Sequence, residues 1–194
     1  MYDESWAERL YRGFARNLTR PFRFVVFVDR ERAFAESAIE QELLPGGEMP
    51  SYASCIEPYR LDAPMILVGL DTVVTGSCDM LAAYCETPGA RLAVPRDPYF
   101  PDRVCNGVAL VPAGLRAQVY ERKRELHARE MSDMDWIRAQ NPAVLDDLFP
   151  GACESYKGYV KHFGVGPETR IVYFHGQEKP HELRGDAWID EHWR

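Results

Sequence analysis

The chain has 194 residues, of which 46% are hydrophobic and 27% are charged. This is the composition of a globular protein with a sizeable core, and it excludes the disordered and collagen-like classes. The formal net charge is -7, so we do not expect broad electrostatic binding to nucleic acid or to an anionic membrane surface. A nucleotide ligand is compatible with this charge, because it needs only a local positive site.

The sequence carries no signal for export or for a membrane span. No apolar run reaches the length of a membrane-spanning helix. The first residues, Met-Tyr-Asp-Glu-Ser, are acidic and lack the basic and apolar regions of a signal peptide. The five cysteines form no Cys-x-x-Cys pair, which argues against a zinc site or a disulfide framework. We therefore expect a protein of the reducing cytoplasm.

The N-terminal quarter predicts a helix, a strand and a loop. Apolar side chains recur every four positions from Trp6 to Leu18, which predicts an amphipathic helix over residues 3–18. Residues 22–28 are β-branched and aromatic, a composition typical of a buried strand. Residues 43–52 hold two prolines and a Gly-Gly pair, and this predicts a loop.

The apolar run from Pro64 to Val74 predicts a central strand buried on both faces, and Asp71 interrupts it. A buried, unpaired acid is costly, so we expect Asp71 at the carboxyl end of the strand, where α/β sheets bind their ligands. There it could bind a hard cation or a sugar hydroxyl. The alternative is an Asp that starts a turn by bonding its own backbone, and the apolar flanks make this the weaker interpretation.

The second half of the chain alternates strands with helices. Ser132 and Asp135 fit a capping box for a short helix. The other predicted elements are strands over 104–111 and 170–174 and helices over 115–130 and 185–193. This alternation favours an α/β fold with a mixed, mostly parallel sheet. Because no clean linker is visible, we expect one domain over residues 1–194.

Three polar segments leave two interpretations open. The Asn106-Gly107 pair is typical of a tight hairpin turn, and the alternative is a contact between ligand and exposed backbone. Asp97 follows Arg96, and a surface ion pair between them is the favoured interpretation. Asp133 suits the N-terminus of a helix, and the alternative places its carboxylate on a substrate hydroxyl.

The segment 173–180, Tyr-Phe-His-Gly-Gln-Glu-Lys-Pro, follows a predicted strand. His175 is a candidate metal ligand or proton carrier. Gly176 permits close approach of the backbone to a ligand, and Lys179 offers a mobile charge of the kind that binds phosphate. The segment indicates a loop that holds a phosphorylated ligand, and the alternative is an ordinary strand-to-turn junction.

Four segments in this order resemble family 8 of the nucleotide-sugar glycosyltransferases, the group that includes glycogenin and bacterial lipopolysaccharide galactosyltransferases. Residues 66–74 are similar to the strand that carries the Asp-x-Asp metal motif of that family. Residues 106–108 are similar to its Asn-x-Gly segment, and residues 132–136 stand where it has Gly-Asp-Gln. Residues 174–180 resemble its His-x-x-Gly-x-x-Lys-Pro loop. The resemblance extends from Tyr11 to the C-terminus.

The resemblance implies a GT-A fold, which is a Rossmann-like α/β sheet, and a nucleotide-diphosphate sugar as the donor. It also implies a manganese or magnesium ion held by Asp71 and His175. Gly176 and Lys179 would contact the diphosphate of the donor. Together with Asn106, Asp133 and Asp97, these residues form the expected site.

Asn106 and Asp133 are the expected catalytic residues, which position hydroxyl groups of the donor or of an unknown acceptor, and Asp97 is assigned to the donor side. On these grounds we expect a glycosyltransferase.

The sequence departs from the family pattern at several positions. Gly69 stands where the family has the first acid of Asp-x-Asp, Tyr173 where it has the metal-binding His, and Met134 where it has Gln. Cys55 stands where a Lys is often found. Hard cations prefer several oxygen ligands, so we expect a weak cation site. The resemblance also implies a first strand ahead of the 3–18 helix, and we expect the sheet to lack it.

The same departures support a second hypothesis from another functional class. In it the chain is a non-catalytic member of the fold, which binds a nucleotide sugar or serves in an assembly. A third hypothesis, a general α/β phosphate-binding protein, requires only the loop that carries Lys179.

Overall fold

The computed structural model describes residues 2–45, 52–128 and 131–194, and the chain in this range is a mixture of helices and strands. The α-helices are Glu4–Asn17 (α1), Asp79–Glu86 (α2), Lys123–Ala128 (α3), Asp133–Ala139 (α4), Leu145–Leu148 (α5), Lys161–Phe163 (α6) and Ala187–His192 (α7). The strands are Phe24–Val28 (β1), Ile39–Leu43 (β2), Met65–Val68 (β3), Val73–Val74 (β4), Ala93–Val94 (β5), Val108–Val111 (β6), Ala143–Val144 (β7), Cys153–Ser155 (β8) and Ile171–Tyr173 (β9). The chain is therefore α/β, as expected.

Shorter helical segments join these elements. They are 3₁₀ helices at Tyr52–Leu61 and Pro180–Leu183, and wider helical turns at Arg116–Tyr120 and Tyr156–Val160. The helix predicted over 115–130 is thus divided in two, and its last two residues lie outside the described range, as do residues 46–51 of the loop predicted over 43–52. None of the described helices is both long and apolar enough to cross a membrane.

The described strands form three small sheets instead of one mostly parallel sheet. Their strand orders are β1-β2, β3-β6-β5-β7 and β4-β9-β8. The pairs β1·β2, β5·β7 and β8·β9 are parallel, and the pairs β3·β6, β5·β6 and β4·β9 are antiparallel. The expectation of a mostly parallel sheet is wrong in this part of the chain, because β6 runs against both of its neighbours.

Helix α1 confirms the prediction over residues 3–18. The side chain of Asp3 accepts a hydrogen bond from the Ser5 backbone N–H at 3.0 Å and thereby caps the first turn. Leu10 and Phe14 are among the residues that the helix buries, and its Trp6 ring lies 5.0 Å from the ring of Trp193, just beyond α7. The two ends of the described chain therefore pack against each other.

The predicted central strand over 64–74 is wrong, because the run contains two strands of different sheets. The chain turns between β3 and β4, where the Thr72 N–H donates to the Gly69 carbonyl at 3.2 Å. The four residues of β3 are half-buried, whereas both residues of β4 are fully buried. Gly69 permits this turn: a Cβ there would stand 2.8 Å from Asp71 Oδ1, closer than side chains tolerate.

Strands β1 and β3 each have an edge without a described neighbour, and both edges face one cleft. In the described residues, β1 pairs with β2 and β3 pairs with β6. Every residue of β1 and of β3 lines a cleft of about 1550 Å³, and α1 covers part of it with Ala7, Leu10 and Phe14. The absence of a first strand of the family type stays a prediction.

The two open edges run in the same direction. At the carboxyl end of β3, the Tyr2 hydroxyl bonds Asp71. Glu4, two residues along the chain, contacts the Arg32 guanidinium, which also bonds Asp29 at the carboxyl end of β1. At the amino end of β1, Arg20 contacts Glu86. The neighbouring residue, Cys85, donates its thiol to the carbonyl of Met65, at the amino end of β3. The cleft is thus bordered by two strands of equal sense.

Candidate functional site

The residues singled out from the sequence converge on the carboxyl-terminal end of this cleft. Asp71, Asp97, Asn106, Asp133 and His175 all line it, although they come from five separate segments of the chain. Gly176 and Lys179 lie in the loop after β9, and the Lys179 ammonium reaches the cleft by contacting Asp71. The structure therefore brings together the side chains that the sequence analysis selected.

Asp71 lies in the turn after β3, near the strand end where the sequence analysis expected it. It is only 8% exposed, and one of its carboxylate oxygens, Oδ2, is in contact with the Lys179 ammonium. The Tyr2 hydroxyl donates to the same oxygen at 3.0 Å. Burial, followed by the charge of Asp71, raises the pKa of Tyr2, so this hydroxyl keeps its proton. The buried acid is thus held by partners from both ends of the chain.

Asn106 and Asp133 form a second polar group on the same cleft. The Asn106 amide donates to Asp133 Oδ2 at 2.6 Å. Asp133 is the first residue of α4, and Ser132 caps this helix by accepting from the Asp135 N–H at 3.0 Å. The capping prediction is confirmed, and the same helix start aims Asp133 at Asn106.

The hairpin interpretation of Asn106-Gly107 is wrong, because the pair leads directly into β6. Gly107 is required by a close approach of another side chain. A Cβ at this position would lie 2.3 Å from a ring atom of Tyr173, which real structures do not show. Tyr173 itself is buried and receives a hydrogen bond from the Cys105 thiol at 3.5 Å. Glycine therefore lets the strand carry Asn106 past the Tyr173 ring.

Cys55 is a contact of Asp133 that the sequence analysis did not assign to the site. Its thiol is hydrogen-bonded to the Asp133 carboxylate. Although Cys55 is exposed at the surface, desolvation of its thiol, followed by the charge of Asp133 and this hydrogen bond, raises the pKa of Cys55 to about 11. The thiol is therefore protonated at neutral pH and donates to Asp133.

Asp97 lines the cleft, but the ion pair with Arg96 expected from the sequence is not the one it makes. Its Oδ1 accepts from the Tyr99 and Phe100 backbone N–H groups, and its Oδ2 meets the Arg138 guanidinium at 3.2 Å. Arg96 instead pairs with Asp147. Both oxygens of Asp97 thus have protein partners that hold the turn beside the cleft, and its assignment to the donor stays a prediction.

His175 is tied to β8 and to the turn that Asp97 holds. Its Nε2 lies 2.9 Å from Ser155 Oγ, and the Tyr99 ring meets its ring edge-on with centroids 5.5 Å apart. Burial lowers the pKa of His175, and the nearby charges of Lys157 and Lys179 lower it further. His175 is therefore neutral at pH 7, with one ring nitrogen already engaged.

Ser155 and Lys157 belong to the site although the sequence analysis did not select them. Ser155 ends β8, bonds His175 and accepts from the Gly158 N–H at 3.0 Å, so it caps the helical turn that carries Lys157. A Cβ on Gly176 would stand 3.5 Å from Lys157 Nζ, which places this ammonium beside the loop. No local pattern marks either residue, because their position depends on the pairing of β8 with β9.

The side chains present are a poor match for a divalent cation. Asp71 already has two partners, His175 shares one nitrogen with Ser155, and Gly69 offers no side-chain oxygen. Among the described residues, no three His, Cys, Asp or Glu side chains lie close enough to hold a metal ion together. Hard cations prefer several oxygen ligands, so the manganese or magnesium ion stays a prediction with few ligands to support it.

Comparison with known proteins adds no family. No family model matches the chain, and no curated protein shows significant similarity to it. The functional argument therefore rests on the cleft and its polar end.

Proposed function

We propose that this protein is a glycosyltransferase of GT-A-like fold that binds a nucleotide-diphosphate sugar in the cleft beside β3. One observation carries this proposal: two acid-centred groups from separate segments of the chain line the same cleft. Asp71 with Lys179 forms one group, and Asp133 with Asn106 forms the other. A ligand that carries both a diphosphate and a sugar offers one partner to each group.

Each polar group supports one part of the reaction. Lys179 would meet the diphosphate, whose negative charge grows as the bond to the sugar breaks, and a fixed positive charge stabilises that change. Asp133 is held by Asn106 and Cys55 in an orientation that leaves it beside the cleft, where a carboxylate can accept hydrogen bonds from hydroxyl groups of a sugar. Gly176 would let the loop approach the donor closely.

The test is titration calorimetry with a panel of uridine and guanosine diphosphate sugars, each with and without manganese. Sugar release and transfer would be measured in parallel by detection of the free nucleoside diphosphate. We expect one donor to bind and turnover to fall by about a hundredfold in Asp133→Asn, the range typical of a lost catalytic carboxylate. Asp135→Asn, two positions along the same helix, is the control and should retain activity. Failure of every donor to bind the folded chain would reject the proposal.

A non-catalytic member of the same fold is the second candidate. It is favoured by the contacts of Asp71, because Lys179 and Tyr2 already occupy an oxygen that the family would use for a cation. Binding of a donor without any release of nucleoside diphosphate, with or without manganese, would support this candidate over the enzyme.

A further inference from the structure

Three lysines surround the loop after β9, and they differ in their partners. Lys179 contacts Asp71, and Lys161 pairs with Glu178 of the loop itself. Within residues 2–45, 52–128 and 131–194, no carboxylate lies within ion-pair distance of Lys157. In a chain of net charge -7, an ammonium without an ion-pair partner beside an exposed turn is a candidate for binding an anion.

The place of Lys157 makes this charge available to a ligand of the loop. Its Nζ stands 3.5 Å from the position that a Cβ on Gly176 would take, which is ordinary van der Waals contact, so the ammonium lies directly beside the turn. Gly176 has a φ of 65°, in the left-handed region that favours glycine, and it is exposed. In the described part of the chain, no protein acceptor meets the N–H groups of Gly176 and Gln177. An ammonium and two backbone donors thus adjoin one exposed turn.

The turn that carries Lys157 is held by hydrogen bonds and by close packing. Ser155 caps its helical turn and also bonds His175, so the lysine and the loop are joined through one hydroxyl. On the other side, a Cβ on Gly158 would lie 2.5 Å from Pro98, which shows how closely this turn packs against the turn of Asp97.

We propose that Lys157 is a second diphosphate-binding cation, which with Lys179 supplies the positive charge that the family resemblance assigns to a divalent metal. The inference deepens the proposed function, on which its choice of ligand rests. The ligand class is a diphosphate, either free or within a nucleotide sugar. Two lysines can balance the charges of the two phosphate groups. When the donor binds, Asp71 would keep the Tyr2 hydroxyl and accept from a sugar hydroxyl in place of Lys179.

The experiment is calorimetric titration of the whole chain with inorganic pyrophosphate in the presence of a metal chelator. We expect binding without metal and a loss of affinity of about tenfold or more in Lys157→Met, as for a lost charge-assisted contact. Lys157→Arg should retain most of the affinity. Lys161→Met is the matched control: it lies one turn away and is paired with Glu178, so its affinity should stay within about twofold of the wild type.

The outcomes separate this inference from the proposed function. Equal affinity of Lys157→Met and wild type would overturn the inference, as would binding that requires manganese, or no pyrophosphate binding at all. Melting curves of each variant show whether it is folded, and Lys157→Gln provides a second neutral substitution. If pyrophosphate binds through Lys157 but no nucleotide sugar binds, the inference stands and the proposed donor is wrong. If nucleotide sugars bind Lys157→Met as tightly as wild type, the proposed donor stands and the inference about Lys157 is wrong.

Discussion

The two parts of the cleft differ in how completely the protein satisfies its own groups. At the polar end, the acids are matched with donors: Asp71 with Lys179 and Tyr2, and Asp133 with Asn106. Along the apolar part, two strands face each other with edges that have no described neighbour. An unpaired strand edge presents open backbone N–H and C=O groups. The comparison teaches that the site is preorganised at its polar end, while the two sheets that border the cleft each keep an open edge.

The open edges give the largest expected effect. An extension of five Val or Ile residues and a short linker, fused ahead of Tyr2, should lie between β1 and β3 and pair with both. Burial of its side chains minus the entropy of ordering leaves about 3 kcal/mol of stabilisation, or about 10 °C in Tm. Thermal unfolding measures this, and hydrogen exchange should slow at the amides on the open edge of β1, such as that of Phe27, and on the open edge of β3.

The control extension has the same length, with every second residue changed to Pro. This extension cannot form a complete ladder of backbone hydrogen bonds with β1 and β3, because proline lacks the N–H donor. A similar rise in Tm for both extensions, or no protection of β1 and β3 by the Val/Ile extension, would show that the cleft is not a site for a strand.

The polar end can be broken at the Asp71–Lys179 pair. Lys179→Met leaves a carboxylate that is mostly buried without its ammonium, and we expect a loss of about 2 kcal/mol in the free energy of unfolding. The side chains are 21% and 12% exposed, so the loss should be smaller than for a fully buried pair. The double variant Asp71→Asn with Lys179→Met should recover most of the loss, which urea unfolding measures. Additive effects of the two changes would contradict a direct interaction.

How far the sequence predicts the fold depends on the length of each pattern. The four-residue recurrence of apolar side chains specified α1 almost to its ends, because a helix of this length repeats its signal several times. Strands β4, β5 and β7 have two residues each, which is too short for any alternation to be visible. The run over 64–74 was misleading because a continuous apolar stretch does not show where the chain turns from one sheet to another.

The site was predictable where one segment determines both position and chemistry. Asp71 interrupts an apolar run, which indicated a position at a strand end, whereas Asp133 was assigned to the site through the family resemblance. Tyr2, Cys55, Ser155 and Lys157 were not selected, because they reach the site through contacts between segments far apart in the chain. Such contacts depend on strand pairing, as between β8 and β9, which the local sequence does not encode.

The contact between Cys55 and Asp133 gives a smaller effect that tests the polar end directly. Asp133→Asn removes a negative charge and should lower the pKa of the Cys55 thiol from about 11, although desolvation will keep it above its ordinary value. More thiolate at pH 8 means faster reaction, so we expect modification by a disulfide reagent to accelerate several-fold. Asp135→Asn is the control, and Cys55→Ser identifies the reacting thiol. An unchanged rate in Asp133→Asn would place the carboxylate away from the thiol.

The smallest expected effect is the pH dependence at His175, and it links the polar end to Lys157. The pKa of His175 is lowered in the folded chain by burial and by the charges of Lys157 and Lys179. The folded chain therefore resists protonation that the unfolded chain accepts near pH 6.5. The contribution of this residue to stability is present above that pH and is lost as the pH falls through the folded pKa. His175→Gln should show a flatter decline in the free energy of unfolding between pH 7 and pH 5.

Titration of the histidine ring signals by NMR tests the cause of this shift. Lys157→Met removes a neighbouring positive charge, so the pKa of His175 should rise toward its ordinary value, and pyrophosphate should produce the same change in the wild type. His192 is the internal control, because burial also lowers its pKa while Lys157 is not among the charges that act on it. If the pKa of His175 changes neither in Lys157→Met nor on addition of pyrophosphate, burial alone sets this pKa and the lysine does not face the loop.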